Sequence, residues 1–227
     1  MANPEWYSGS DSSGRVAAAI EEIIARMDAQ TAGVEDVERL HELTSVEHEA
    51  NWRSFLLGLA GTIHYDLDDV ETAREILERS IAGAKPYLES FDGVLSVYCQ
   101  SCYTLGVIHH DAARFVEAVP FFLRCLPYMH EVYDDVYVGN IHSFLATCMA
   151  WARQPDWSSV FAEAAAYARR WDCESLEQLM VSYGARGDLD RATEVFHMMQ
   201  ADCRGYEHFD RVLEYARRNL GESGTVN

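Results

Sequence analysis

One spacing recurs along this chain and limits what it can fold into. Between Cys99 and Cys125, a large apolar residue and a small one, Leu105 and Gly106, precede a ring at His109. Ala118, Phe122 and Cys125 then supply small, aromatic and small again. This reads as one helix-turn-helix unit, with small residues where two antiparallel helices must approach and rings filling the wedge beside them. Towards the N-terminus Gly61, His64, Ala73 and Leu77 repeat the spacing. Towards the C-terminus Leu179, Tyr183, Gly187, Ala192 and Phe196 do so. Leu145, Ala146, Met149 and Ala165 make a degenerate copy, with Ser158 and Ala162 at its remaining helix-B positions.

The pattern resembles the tetratricopeptide repeat (TPR), a unit of ~34 residues. His109 stands where Tyr is usual, and Cys125 where Ala is usual. The resemblance covers roughly residues 46 to 205, with repeats starting near Ser54, Cys99, Gly139 and Cys173. It implies an all-α fold, a right-handed superhelix of antiparallel helical hairpins. The last repeat, read as LMVSYGARGDLDRATEVFHMM, also resembles the pentatricopeptide repeat, whose members bind single-stranded RNA. A net charge of −19 repels phosphates and anionic membranes, and points to basic or amphipathic partners rather than nucleic acid.

Apolar residues make up 48 % of the chain, enough for a sizeable core, and 14 Gly with 5 Pro suit helices better than turn-rich β structure. Residues 1–13 read as a flexible start in which Trp6 and Tyr7 either dock or stay exposed. Residues 14–45 read as capping helices, the first beginning near Arg15 behind a Ser12 or Ser13 cap, with Val16, Ala19, Ile20, Ile23, Ile24 and Met27 on one face. Val34, Val37, Leu40, His41 and Leu43 form the face of the second. About four repeats fill 46–205, a capping helix occupies 206–220, and 221–227 is a tail. Asp68 and Glu71 have capping-box spacing. Pro120 and Pro127 are awkward within a helix, and Pro127 should kink or end it. Helix B of the third repeat is expected over Trp157–Trp171. Gly187 and Asp188 mark a helix end and the next cap.

Cys99, Cys102, Cys125, Cys148, Cys173 and Cys203 all fall in expected helices. They read as small buried hydrophobes of a reducing compartment rather than a disulfide framework. With no signal-peptide pattern and no membrane-spanning run, a cytoplasmic protein is expected. Cys99-x-x-Cys102 followed by His109-His110 invites a zinc reading. On one helix, however, Cys102 and His109 stand ~10 Å apart along the axis, so His64 or His142 would have to help. We therefore expect no metal and no cofactor.

The resemblance also implies a concave groove lined by helix A. The first repeat offers Phe55, Gly58, Thr62, Tyr65 and Asp66, and the second Gln100, Tyr103, Val107, His110 and Asp111. The third offers Asn140, Ser143, Thr147, Ala150 and Trp151, and the fourth Glu174, Glu177, Val181, Gly184 and Ala185. Tyr65, Asp66, Tyr103, His110, Asp111 and Trp151 are the candidate ligand-binding residues. Acids and rings suit an Arg- or Lys-bearing peptide by charge pairing and cation–π contact. The expected function is thus a peptide-binding adaptor, regulator or chaperone. The alternative is a small-molecule enzyme using His110 with Tyr65 and Asp111 as acid–base groups. Homodimerisation through an unsatisfied terminal repeat is a further option.

Overall fold

In the computed structural model, the described residues are 11–47, 49–89, 92–133, 135–152, 154, 160 and 173–221. Trp6, Tyr7, the Val16 side chain and the expected helix Trp157–Trp171, Val160 apart, lie outside them. All regular structure among the described residues is helical. The helices are α1 (Asp11–Asp28), α2 (Val34–Val46), α3 (Ala50–Asp66), α4 (Val70–Ala84), α5 (Asp92–Asp111) and α6 (Phe115–Cys125). They continue with α7 (Met129–Val132), α8 (Asp135–Trp151), α9 (Cys173–Ala185), α10 (Leu189–Asp202) and α11 (Phe209–Asn219). Helix A of the first three repeats begins at Ala50, Asp92 and Asp135, a few residues before the repeat starts near Ser54, Cys99 and Gly139. Likewise α1 begins at Asp11, which puts Ser12 and Ser13 inside the helix rather than at its cap.

The helices gather into two compact units, residues 1–108 and 109–227. In the first, α2 packs on α3 and α3 on α4. Its core joins Ile20, Ile23, Val37, Leu40, Leu56, Leu59, Ile63 and Ile76. Val34 and His41, expected on the inner face of α2, are exposed; Val34 opens the helix, where no turn covers it. The small residue at Gly61 has the steric job the repeat assigns to it. A Cβ there would sit 2.7 Å from the Leu77 side chain, which is fully buried and contributes about 2–3 kcal/mol through that burial.

In the second unit, α6 packs on α8, α8 on α9, and α9 on α10. Leu179, Met180, Tyr183, Ala192, Phe196 and Met199 form its core, closed by Val212, Leu213 and Ala216 of α11. Pro120 sits in the second turn of α6, where the unpaired carbonyl of exposed Val116 can meet water. Pro127 ends that helix, as its missing N–H requires, and the chain passes through a 3-10 turn at Leu126–Tyr128.

One cysteine expectation is corrected. Cys173 at the start of α9 and Cys203 just after α10 form a disulfide, with Cα atoms 5.7 Å apart. The hairpin brings its two open ends together, and that overrides the reading of all six as isolated thiols. Cys99, Cys102, Cys125 and Cys148 are free and buried. No helix among the described residues is long and apolar enough to cross a membrane.

Candidate functional site

The candidate residues are placed by the turns that end each helix A. Three of these turns are alike: three residues long, with the middle one left-handed at Asp68, Ala113 and Gly187 (φ 63°, 55° and 78°). In each, two backbone N–H groups reach back to helix carbonyls. Asp69 N–H donates to His64 O at 2.9 Å, Arg114 N–H to His109 O at 2.8 Å, and Asp188 N–H to Tyr183 O at 3.0 Å. His64-Tyr65-Asp66, His109-His110-Asp111 and Tyr183-Gly184-Ala185 are therefore structural equivalents. Gly187 is the residue this conformation favours, and the Asp188 carboxylate caps α10 by accepting from Arg191 N–H at 3.3 Å. In the first repeat the cap is Asp69 rather than the expected Asp68, because Asp68 takes the left-handed position.

In the first unit His64 turns towards that cap, with Nδ1 3.0 Å from Asp69 Oδ2. Its Nε2 is buried without a hydrogen-bond partner. The Thr72 hydroxyl, and then His64, hold the Asp69 carboxyl below its usual range. The His41 ring lies 6.0 Å from His64. Lost hydration, then His64 and Arg79, push the His41 pKa down. Tyr65 and Tyr103 are half-buried, while Asp66 is exposed yet crowded enough that lost hydration raises its pKa.

In the second unit His110 Nδ1 lies 2.9 Å from Asp111 Oδ1. The ring stands edge-on to Phe144 at 4.9 Å and to Phe115 at 5.8 Å. Phe115 stacks on Trp151 at 5.7 Å, and Phe144 on Phe122 at 5.9 Å. The result is an aromatic ladder from fully buried Phe122 to Trp151, which keeps 49 % of its surface exposed. The Asp111 side chain is 60 % exposed at its edge. Behind them the Cys148 thiol is pushed up to about 12 by burial and by Asp111, so it stays a protonated hydrophobe. His109 is buried and stacked on Phe121 at 5.3 Å. Three of the six candidates, His110, Asp111 and Trp151, thus share one ladder; Tyr65, Asp66 and Tyr103 belong to the other unit. Phe115 and Phe144 were missed. Phe144 lies seven residues before Trp151 on α8, which places both on one helix face, and that spacing could have paired them.

Several positions expected to line the groove instead join successive helices. Phe55 and Gly58 are buried, and a Cβ on Gly58 would collide with Val97 of α5. Ser80 Oγ donates to Ser54 O at 2.8 Å beside Ser101 Oγ at 3.4 Å. Ser143, Thr147 and Ala150 are buried, and Thr147 Oγ1 pairs with Ser182 Oγ at 2.7 Å. In the fourth repeat α11 covers the expected face. Tyr206 Oη donates to Glu177 Oε2 at 2.9 Å, and Arg211 Nη2 reaches both Glu177 oxygens at 3.2 Å. Burial and Glu177 raise the Tyr206 pKa. The Tyr215 hydroxyl fills the space a Cβ on Gly184 would need.

No family model matches the chain. No curated protein matches it either. A solved structure from Podosopora anserina, of nearly identical TPR-like repeats of a protein named as a kinesin light chain, superposes with a TM-score of 0.59. That match is 16 % identical in sequence and covers 82 % of this chain and 94 % of the other. Hairpins of like phase, the Gly61–Leu77 contact, the shared turns and this superposition agree: the chain has a TPR-like helical repeat fold.

Proposed function

We propose that this chain is a protein-binding scaffold. Its second unit would dock a basic or amphipathic peptide on the Trp151–Phe115–His110 ladder, beside Asp111. The observation that carries this reading is Trp151. A large ring half in water, held flat on Phe115 in a ladder whose His110 pairs with an exposed carboxylate, is what a guanidinium or ammonium group recognises. Such a contact is worth about 0.5–2 kcal/mol per cation. The net charge of −19 speeds the approach of a basic partner. Tyr65, Asp66 and Tyr103 would offer a candidate surface of the first unit by itself. An adaptor or regulatory role follows from that mode of binding; the four buried free thiols would suit a cytoplasmic setting, and the Cys173–Cys203 disulfide is the feature that departs from it.

The catalytic alternative uses the same His110–Asp111 pair, in which Asp111 would orient the imidazole as a base. Two phenylalanine rings pack steeply inclined against that ring, which suits a packing and binding role better than turnover. Binding to an array of peptides graded from acidic to Arg-rich tests the proposal. Wild type should retain Arg-rich members, more weakly at high salt, and the Trp151→Ala/Asp111→Asn variant should lose them. Equal retention by both proteins would contradict it.

A further inference from the structure

The last hairpin carries a feature that the binding reading does not use. Cys173 opens α9 and Cys203 follows α10, 30 residues later, and the disulfide joins the hairpin at the end opposite its Arg186–Asp188 turn. Three residues past Cys203, Tyr206 donates to Glu177 of α9, and Arg211 pairs with the same carboxylate. Val212, Leu213 and Ala216 of α11 complete the core that α9 and α10 form, and Tyr215 occupies the notch at Gly184. The seat of α11 is thus built on α9, and α9 is clamped to α10 by one bond between sulfurs. Cys173 is half-buried and Cys203 almost fully buried, so Cys173 is the more accessible of the two.

We propose that the Cys173–Cys203 disulfide is a redox latch that holds the α9–α10 hairpin closed and keeps α11 seated on Glu177 and Gly184. To open it, a thiolate of a dithiol reductant attacks Cys173 Sγ. The S–S bond breaks, Cys203 leaves as a thiolate and takes a proton from water, and a mixed disulfide remains on Cys173. The reductant's second thiol displaces Cys173 and is itself oxidised to a disulfide. Closing runs in reverse: a small-molecule disulfide accepts two electrons and becomes two thiols, while Cys173 and Cys203 lose two protons. A closed loop of 30 residues changes the equilibrium for opening the hairpin by at most roughly five-hundredfold. A compartment that keeps thiols reduced would hold the latch open, and oxidative stress would close it.

The test uses the full chain, oxidised with glutathione disulfide or reduced with dithiothreitol. In denaturant, a thiol label should find four cysteines on the oxidised protein and six after reduction. Hydrogen exchange should then rise about tenfold or more across α9, α10 and α11 on reduction, with α3 and α4 unchanged. The Cys173→Ala/Cys203→Ala variant should exchange like reduced wild type and ignore dithiothreitol. Six labelled cysteines after oxidation would overturn the latch. So would equal exchange of α9–α11 in the two states, or a rise spread evenly over both units.

Discussion

The ends of α3 and α5 share one backbone geometry and use their histidines in opposite ways. His64 reaches the helix cap five residues on, because that cap is Asp69. His109 has Arg114 at the same place, and its ring stacks on Phe121. The residue equivalent to Phe121 in the first unit is Ile76, which offers no ring face. The next position differs too: Tyr65 in the first unit, and His110 bound to its own neighbour Asp111 in the second. A repeat thus fixes where a side chain starts, while one cap residue and one ring on the next helix decide what it does. In the second unit this position becomes a rung of an aromatic ladder that reaches solvent.

The comparison can be broken most severely at the ladder's inner rung. Phe144→Ala removes the ring that His110 and Phe122 both lean on, and should lower the stability of the second unit by about 3–5 kcal/mol. Denaturant unfolding followed by hydrogen exchange should find the loss in α6 and α8, with α3 and α4 protected as before. Next in size, Gly61→Ala should cost about 1–3 kcal/mol in the first unit, since its methyl would press on Leu77, and Leu77→Ala in the same chain should restore part of the fit. Arg114→Asp sharpens the comparison. It gives α6 an acidic cap in the place that Asp69 holds in the first unit, so thermal unfolding should show a gain of about 1 kcal/mol.

Acid separates the two units more gently. His41 has its pKa lowered in the folded chain, so the unfolded chain binds its proton first. The first unit should therefore keep full stability above pH ~6.5 and lose some as pH falls towards the depressed folded value. His41→Gln should flatten that part of the stability–pH curve, measured by chemical denaturation. The smallest effect belongs to the turns. Ala113→Gly should gain up to ~1 kcal/mol by relieving a left-handed alanine, whereas Gly187→Ala should lose about as much.

These residues also show what the sequence made legible. The Gly61–Leu77 approach and the Gly187–Asp188 boundary could be read because each is a local steric demand within one hairpin. The fold followed from the recurrence of such demands. The ladder was only half legible: His110, Asp111 and Trp151 stand at helix ends that the repeat marks, but Phe144 comes from another helix more than thirty residues on. The buried Thr147–Ser182 pair was hidden in the same way, since polar residues on helix A read as groove-lining until a neighbouring helix covers them. The Cys173–Cys203 bond had a usable signal. Helices of 13 and 14 residues joined by a tight turn must bring their open ends together, and a cysteine stands at each end.

The most direct test of the central claim watches Trp151 itself. Indole N–H resonances of the five tryptophans can be followed while an Arg-rich peptide, or a Glu-rich peptide of equal length, is titrated in. The account predicts that the Trp151 resonance moves with the Arg-rich peptide alone, that salt weakens the shift, and that Asp111→Asn reduces it. A Trp151 resonance that stays fixed, or moves equally with both peptides, would contradict the aromatic ladder as the binding surface for a basic partner.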